Sequence, residues 1–361
     1  MKYALMYYKS TDNIGDDIQT YTAIRFLPHI DYYIDRESLS CFVPETKEYV
    51  SMIMNGWYIH NKLAWPPSPY INPLLVSMHF KDLEETDVGD IYLKEYGGEF
   101  LRKHGPVGAR DIETQKRLEN NNIEAYFSGC MSLTLEKFPN IRKRNKICLV
   151  DVSQDIIEKV KKNSEYEIEI ISHYLNQQET EKRDIKQRMN DVEALLKKYQ
   201  EAKLVITTRL HAALPCVALG TPVIVLHKKV FDEDRLGTFF NLFSNYNEEE
   251  FINMDISKII DSPPKNSKEY IKIKKKLIKI CKHFITNCET KQEENFNLIE
   301  LPNIKEYKKY ADRLLWYKSI YEKERLVVEK IEKKRVEEYN LYHKNLDELS
   351  RRIDEGNSNL S

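Results

Sequence analysis

The amino-acid sequence predicts an α/β protein with two Rossmann-like domains that face a cleft, followed by a C-terminal helical extension. Short apolar runs alternate with helix-spaced apolar residues in two successive series, which is the pattern of strand–helix–strand units. From about residue 304 to 355 the chain is almost free of helix-breaking residues. The length of 361 residues also exceeds that of one typical domain, about 100–200 residues.

Composition and charge exclude several classes of protein. The content of 41% hydrophobic and 31% charged residues is that of a folded globular protein, not of a disordered chain. The net charge of −1 favours neither nucleic acid nor an anionic membrane as a partner of the whole molecule. No run reaches the roughly 18 apolar residues of a transmembrane helix, so no transmembrane segment is predicted.

The N-terminus and the cysteines predict a cytoplasmic protein. The apolar run in MKYALMYYKSTDN is shorter than the roughly 7–15 residues of a secretory signal. The six cysteines form no CxxC pair, so we expect reduced thiols and no structural metal. The protein is expected either free in the cytoplasm or associated peripherally with the inner face of the membrane.

An N-terminal α/β domain is predicted over residues 1–138. It opens with a strand at 2–8, a turn-rich segment and a helical pattern, which together resemble the start of a doubly wound unit. Two further apolar runs, at 49–59 and 73–80, are bounded by Gly, Pro and Asn. They are predicted to be buried parallel strands.

A second α/β domain is predicted over residues 145–300, after a basic, proline-containing boundary at 135–146. Strands are predicted at 147–153 and 166–175, and the stretch 203–227 then repeats strand, helix and strand. The cleft between the two domains is the default position for a binding site.

The chain ends in a predicted helical tail over residues 303–361. Its apolar residues include a 3-4-3-4 seam, which is typical of a coiled coil or a helical hairpin. The surrounding charges are mixed in sign, so two hypotheses stay open: the tail packs on the protein body, or it mediates self-association. The seam consists of Tyr339, Tyr342, Leu346, Leu349 and Ile353.

The stretch TTRLHAALPCVALGTPVIVL, residues 207–226, places Arg209 and His211 where a β-rich run turns into an apolar helix. Thr207 and Thr208 are predicted to cap this helix, whose free N–H groups attract anions. Arg209 adds a planar donor for phosphate or carboxylate, and His211 is suited to proton exchange near neutral pH. We expect Arg209 in the open cleft without a buried partner. The alternative is that Arg209 forms a structural salt bridge and His211 a hydrogen bond in the domain interface.

A second strand-to-helix corner lies in DNIGDDIQT, residues 12–20. Gly15 permits a tight turn, with Asn13 before it and Asp16 and Asp17 after it. Either the carboxylates only stabilise the helix N-terminus, or the loop contacts a ligand and a carboxylate orients a sugar hydroxyl.

Arg110 and Asp111 form a third such corner, in GPVGARD. The pair is either a local ion pair, with Asp111 capping the next helix, or part of an anion site. Ligands of open α/β sheets bind beyond the carboxyl ends of the strands, and all three corners are predicted at that edge. We therefore expect them to belong to one site.

Three segments, in this order, resemble the polysaccharide pyruvyl transferase family: NIGDDIQTYTA, GPVGARDIETQKRLENNNIEAYFSGC and AKLVITTRLHAALPCVALGTPVIVL. The resemblance covers roughly residues 1–245 and is most specific in the Arg-Leu-His block and the Gly-x-Pro that follows it. It implies two domains of the GT-B glycosyltransferase type. It also implies transfer of a pyruvate unit from phosphoenolpyruvate to a sugar as a cyclic ketal, with release of phosphate.

The resemblance implies roles for particular residues. The family block lies on Arg209, Leu210 and His211, and Arg110 falls where the family has an arginine associated with phosphoenolpyruvate. The family's lysine after the Gly-x-Pro strand corresponds to one of two lysines here, because this segment is shorter. These two residues are Lys228 and Lys229.

The sequence departs from the family at two places. Gly129-Cys130 stands where Asp-Pro is frequent, and the loop NGWYIHN…WPPSPY is typical of a divergent branch. These departures put the identity of the donor in question.

The sequence predicts a pyruvyl transferase that acts on a sugar of a surface polysaccharide or its precursor, in exopolysaccharide or capsule biosynthesis. His211 is the candidate general acid or base, Arg209 is expected to bind the donor, and Asp16 or Asp17 is expected to favour an oxocarbenium-like intermediate. The resemblance implies phosphoenolpyruvate as the donor substrate, and no cofactor is expected. The acceptor is a saccharide, free or lipid-linked, and no nucleic acid partner is expected.

Two alternatives stay open. A GT-B glycosyltransferase would use the same cationic residues to hold the diphosphate of a nucleotide sugar. A catalytically degenerate member of the family would act as a scaffold through the helical tail.

Overall fold

A computed structural model describes residues 1–58, 62–80, 92–228, 236–290 and 301–358. The chain divides into two compact units, Met1–Ile304 and Lys305–Ser361. The larger unit contains two parallel β-sheets with intervening helices, and the smaller unit is helical. The predicted α/β class with two Rossmann-like sheets and a C-terminal helical extension is confirmed.

The first sheet is built from short runs of mostly buried residues, as expected for parallel strands covered on both faces. Its strands are β1 (Lys2–Tyr7), β2 (Tyr32–Asp35), β3 (Val50–Trp57), β4 (Ile71–His79), β5 (Val107–Ala109) and β6 (Ala125–Phe127). They pair in parallel in the order β2-β1-β3-β4-β5-β6, so their carboxyl ends share one edge.

The second sheet repeats this arrangement with β7 (Lys146–Val150), β8 (Glu167–Ile171), β9 (Leu204–Thr207), β10 (Val223–His227) and β11 (Ser244–Asn247). The parallel order is β11-β10-β9-β7-β8. In this register Val150 pairs with Ile171 on one side and with Thr207 on the other. The residues that follow these three strands therefore lie beside one another.

Several helices begin and end at residues whose local chemistry sets the boundary. Asp111 caps its helix by accepting from the Thr114 N–H, as predicted, and Gly220 ends the apolar helix with a left-handed φ of +74°. The helices are α1 (Ile14–Ile24), α2 (Glu95–His104), α3 (Ile112–Asn120), α4 (Gln154–Lys162), α5 (Gln177–Lys182), α6 (Ile185–Glu201), α7 (Leu210–Leu219), α8 (Glu248–Asn253), α9 (Ser257–Asp261), α10 (Tyr270–Thr290) and α11 (Ile304–Ser358).

Helix α10 returns the chain to the first sheet. Its buried face, formed by Leu277, Cys281, Ile285 and Cys288, packs against residues of β1, β3 and β4. This helix lies within the predicted range 145–300 of the second domain and packs on the first sheet. Both faces of the second sheet are already covered, by α6 and α7 on one side and by α4, α8 and α9 on the other. The apolar face of α10 is covered by the first sheet together with residues of α1 and of the segment that follows β6.

Helix α11 forms most of the smaller unit. Many of its apolar side chains are exposed, among them Leu326, Val328 and Ile331, each more than half exposed. Of the predicted seam only Tyr339 is described at side-chain level, and it is exposed; the other four seam side chains lie outside the description. Among the described helices, none is long and apolar enough to cross a membrane.

Candidate active site

Arg209 and His211 lie at the carboxyl edge of the second sheet, where β9 ends and α7 begins. Arg209 itself is the N-cap residue, and its N–H donates to Thr207 Oγ1 at 2.9 Å. Thr208 Oγ1 donates to the backbone oxygen of Asp151 at 2.8 Å. The predicted capping by the threonine side chains is wrong, because both hydroxyls instead bond to backbone oxygens at the end of β7.

Asp151 and Tyr174 hold the Arg209 guanidinium from two sides. Arg209 Nε donates to Asp151 Oδ2 at 2.7 Å, and the guanidinium carbon lies 4.3 Å from the centre of the Tyr174 ring. The Arg209 side chain is 22% exposed and that of Asp151 is 9% exposed. The expectation that Arg209 has no buried partner is therefore wrong. An arginine held in one orientation at a partly open position is preorganised for an oxyanion.

Asp151 is a candidate site residue that the sequence analysis missed. It follows β7 directly, and it lies beside the residues that follow β8 and β9. Its carboxylate also accepts from Ser172 Oγ at 2.9 Å and from the His173 N–H at 3.1 Å. Its backbone φ is +49°, which is uncommon for a residue other than glycine. The available sequence signal was an acidic residue immediately after an apolar strand, in ICLVDVS.

The loop before α1 brings the first sheet to this edge. Asn13 caps α1 by accepting from the Gly15 N–H at 2.9 Å, and the Ile14 N–H donates to the His173 backbone oxygen at 3.0 Å. A Cβ atom on Gly15 would lie 3.0 Å from His211 Nδ1 and 3.2 Å from His211 Cβ. The histidine therefore lies against the glycine backbone, and a larger residue would displace it. The structure thus brings Asn13, Gly15 and His211 together.

The two acidic residues in the first turn of α1 occupy different environments. Asp16 is partly exposed and accepts from Thr11 Oγ1 at 2.8 Å. Asp17 is buried, and both of its carboxylate oxygens accept from Arg188 of α6. Burial raises the pKa of Asp17 to about 6, although the ion pair with Arg188 opposes this shift. Asp17 therefore connects α1 to α6, and the structure does not place its carboxylate in an open site.

Arg110 and Asp111 lie at the carboxyl edge of the first sheet, where β5 ends. Both are buried, and Arg110 Nε is 3.3 Å from Asp111 Oδ2. A closer partner of Asp111 is His79, whose Nδ1 lies 2.7 Å from the same oxygen. Burial alone would raise the pKa of Asp111, but His79, Arg110 and the Thr114 N–H together hold it well below its usual range. Arg110 Nη2 is buried and has no hydrogen-bond partner among the described residues.

The buried Tyr8 hydroxyl connects the Arg110 corner with the loop before α1. Burial raises its pKa and so does the charge of Asp16, whereas Arg36 and Arg110 act in the opposite direction. Arg110 and Asp16 are thus both close enough to act on one hydroxyl. The guanidinium of Arg36 lies over the Tyr8 ring, 4.5 Å from its centre. Two corners of the first sheet therefore share one electrostatic environment.

Three residues predicted from the sequence remain: Leu210, Lys228 and Lys229. Leu210 is buried in the core beside α7, so its side chain is not available to a ligand. Lys228 is exposed, with its Nζ 3.8 Å from Glu248 Oε2. Lys229 lies outside the described residues. Within the described ranges no group of three or more His, Cys, Asp or Glu side chains is placed to hold a metal ion.

Comparison with protein families gives one match. The family model described as polysaccharide pyruvyl transferase matches residues 13–226, more than half of the chain. The matched span includes the loop at Asn13, the corner at Arg110 and the segment from Arg209 to His211. No curated protein matches the sequence.

Several solved structures are similar at low identity. A functionally uncharacterised protein from Klebsiella pneumoniae subsp. pneumoniae NTUH-K2044 is 14% identical, with a TM-score of 0.42, over 66% of this chain and 87% of that one. The UDP-GlcNAc 2-epimerase of Methanocaldococcus jannaschii, in complex with UDP-GlcNAc and UDP, is 12% identical, with a TM-score of 0.42, over 80% and 99%. Another UDP-N-acetylglucosamine 2-epimerase is 11% identical, with a TM-score of 0.41, over 84% and 99%.

Proposed function

The chain belongs to the polysaccharide pyruvyl transferase family, and we propose that it transfers a pyruvyl group from phosphoenolpyruvate to two hydroxyls of one saccharide. The product is a cyclic ketal, and phosphate is released. The acceptor is a sugar of a surface polysaccharide, such as a capsule or exopolysaccharide, or of its precursor.

One observation carries this proposal: a fixed arginine at the N-cap and a histidine in the first turn of one helix lie beside the loop that follows the first strand of the other sheet. Arg209 is oriented by Asp151 and Tyr174, and His211 lies against Gly15. A helix N-terminus with an arginine suits an oxyanion, and a histidine next to it can exchange a proton with the bound molecule.

The donor carries a phosphate and a carboxylate, so its binding requires two cationic positions. Arg209 supplies the first. Arg110 is the candidate for the second, because its buried Nη2 has no hydrogen-bond partner among the described residues. A buried guanidinium that lacks a full set of acceptors is stabilised when an anion binds to it.

The reaction balances as follows. A proton is added to the methylene carbon of the enol, which leaves positive charge on the neighbouring carbon. One sugar hydroxyl forms a bond to that carbon and loses its proton. The C–O bond to phosphate breaks, and the second hydroxyl bonds to the same carbon and loses its proton. Of the two hydroxyl protons, one replaces the proton given to the methylene carbon and the other leaves with the phosphate.

His211 is proposed to give the first proton and to recover it from the attacking hydroxyl. Asp16, a partly exposed carboxylate that follows Gly15 in the first turn of α1, is proposed to stabilise the cationic intermediate. Asp17 has no part in this chemistry, because Arg188 already occupies both of its oxygens.

Isothermal titration with phosphoenolpyruvate, UDP and GDP tests the donor. We expect phosphoenolpyruvate to bind and the two nucleotides not to bind. Binding of a nucleotide without binding of phosphoenolpyruvate would replace the proposal with a nucleotide-sugar glycosyltransferase. If none of the three binds to folded protein, the proposed activity is wrong and the scaffold hypothesis gains.

A further inference from the structure

We infer that the exposed face of α10 is a docking surface for an anionic lipid bilayer. The surface consists of four lysines and is called the lysine ridge below. Its residues are Lys272, Lys275, Lys279 and Lys282.

The packing of α10 forces these lysines outward. The buried side chains Leu277, Cys281, Ile285 and Cys288 attach one face of the helix to the first sheet. The ridge residues follow one another at spacings of three, four and three, which places them along the opposite face. All four are exposed, and the row they form is roughly 15 Å long.

The ridge has one sign of charge. From Tyr270 to Asn287 the helix contains no Asp or Glu, although the protein as a whole has a net charge of −1. Glu136 is paired with Arg25, which lowers the pKa of this carboxyl, and Lys282 adds a weaker effect in the same direction. No ridge lysine forms an ion pair with any residue in the described ranges.

The other two lysines of α10 form hydrogen bonds to the body of the protein. Lys274 Nζ donates to the Leu135 backbone oxygen. Lys276 Nζ donates to the Phe127 backbone oxygen at 3.0 Å and lies 4.7 Å from the centre of the Tyr126 ring. The four ridge lysines have no such contact among the described residues, so their clustering is not explained by the fold.

The chemistry of the ridge fits a bilayer better than a nucleic acid. A row of ammonium groups on a helix, without arginine or an exposed aromatic side chain among them, provides diffuse positive charge rather than base stacking or bidentate phosphate contacts. Basic clusters of this size on a helix are attracted to anionic lipid headgroups. The long side chains reach the headgroups while the helix stays packed on the sheet.

The direction of α10 places one end of the ridge near the candidate active site. Ile273 contacts Gly129, just after the carboxyl end of β6, whereas Ile285 and Cys288 pack beside Tyr3 near the start of β1. A bilayer on the ridge would thus lie beside the edge where the proposed reaction takes place. This last link rests on the proposed function, since it matters only for a lipid-linked acceptor; the docking itself does not.

Sedimentation with vesicles tests the inference on the full chain, without donor or acceptor. We expect binding to vesicles of equal parts phosphatidylglycerol and phosphatidylcholine, weakening as salt is raised, and no binding to phosphatidylcholine alone. Replacing the four ridge lysines with Gln should lower the affinity by about 600-fold, at roughly fivefold per lysine. A matched control replaces four exposed lysines elsewhere with Gln and should bind like the wild type: Lys161, Lys162, Lys182 and Lys186.

Thermal melts of both variants establish that they are folded, since all eight positions are exposed. The inference is overturned if the wild type does not bind anionic vesicles or binds neutral vesicles equally well. It is also overturned if the ridge variant binds anionic vesicles as strongly as the wild type does. Equal losses in both variants also overturn it, because they would show an effect of net charge alone. A wild type that binds a DNA duplex but not the vesicles would assign the ridge to nucleic acid.

Discussion

Arg209 and Arg110 occupy equivalent positions in the two sheets, yet their environments differ. Each follows a parallel strand at its carboxyl end, and each has an aspartate beside it. Asp151 binds Arg209 at 2.7 Å, and the arginine side chain is 22% exposed. Asp111 binds His79 at 2.7 Å but is 3.3 Å from Arg110, whose side chain is 3% exposed.

The difference shows that an aspartate next to a site arginine can serve two purposes. Asp151 orients its arginine at a partly open position. Asp111 mainly binds His79 and caps α3. Arg110 Nη2 has no hydrogen-bond partner among the described residues. We therefore expect substitutions in the second sheet to affect ligand binding and turnover, and those in the first sheet to affect stability as well.

The largest effect is expected at His211, which lies where the two sheets meet. His211→Ala should keep the fold and donor binding but lower turnover by about 100-fold or more, the usual scale for a lost general acid or base. Phosphate release in the presence of donor and acceptor measures it. The matched control is His29→Ala, an exposed histidine away from both arginines. Turnover near that of the wild type in a folded His211→Ala protein would remove this residue from the mechanism.

Arg209→Lys tests the oriented guanidinium. Lysine keeps the charge but loses the planar fork, so donor affinity should fall by about 10- to 100-fold, or roughly 1.5–3 kcal/mol. Because Asp151 also loses the Nε donor, the free energy of unfolding of the unliganded protein should fall by about 1 kcal/mol. Titration of phosphoenolpyruvate and a parallel urea melt measure the two quantities. A large loss of stability with unchanged donor affinity would make Arg209 a structural residue.

Asp111→Asn and Asp151→Asn compare the two aspartates directly. Asparagine can still cap α3, so the Asp111 variant loses mainly the charge that compensates His79 and Arg110. Its free energy of unfolding should fall by about 2–3 kcal/mol. Asp151→Asn should lower stability by only about 1 kcal/mol and should weaken donor binding instead. Equal stability losses in urea melts of the two variants would contradict the distinction drawn between the two corners.

The pH dependence of the free energy of unfolding distinguishes His173, at the edge of the second sheet, from His79, at the edge of the first. Burial lowers the pKa of His173 to about 4, whereas His79 has Asp111 as a close acceptor. The unfolded chain binds a proton at His173 near pH 6.5, so this contribution to stability is complete above that pH and is lost as the pH falls toward 4. The loss should be about 2 kcal/mol between roughly pH 7.5 and 5.

Urea melts at these two pH values measure the contribution of His173. In His173→Gln the dependence should flatten by that amount, and the remainder should include His104, whose pKa burial also lowers to about 4. An unchanged slope in the variant would show that His173 has the same pKa in the folded protein as in the unfolded chain.

The smallest effect is expected outside both sheets. A chain that ends at Ile304 retains the larger compact unit, including Pro302, whose backbone oxygen accepts from the Tyr70 hydroxyl at 2.7 Å. Its free energy of unfolding should change by no more than about 1 kcal/mol, because compact units with their own cores unfold largely independently. Size-exclusion chromatography of both forms reports whether α11 mediates self-association. An insoluble product would show that α11 is needed for the larger unit to fold.

The sequence determined those features of the protein that depend on neighbouring residues. The apolar run at 203–227 predicted β9, α7 and β10, because hydrophobic periodicity and a following glycine act over a few residues. The cap at Asp111 followed in the same way. The positions of Arg209 and Arg110 near strand ends needed no knowledge of the packing, since each lies within two residues of the end of a β-rich run.

Only the tertiary structure decided which distant residues act on these positions. Asp151 is 58 residues before Arg209, and it reaches the guanidinium because β7 pairs with β9. Arg188 is 171 residues after Asp17, and it binds the Asp17 carboxylate because α6 packs on α1. Strand order and helix packing depend on how whole apolar faces are covered, and no local pattern contains that information. For the same reason only the tertiary structure shows that α10 packs on the first sheet and leaves the four ridge lysines exposed.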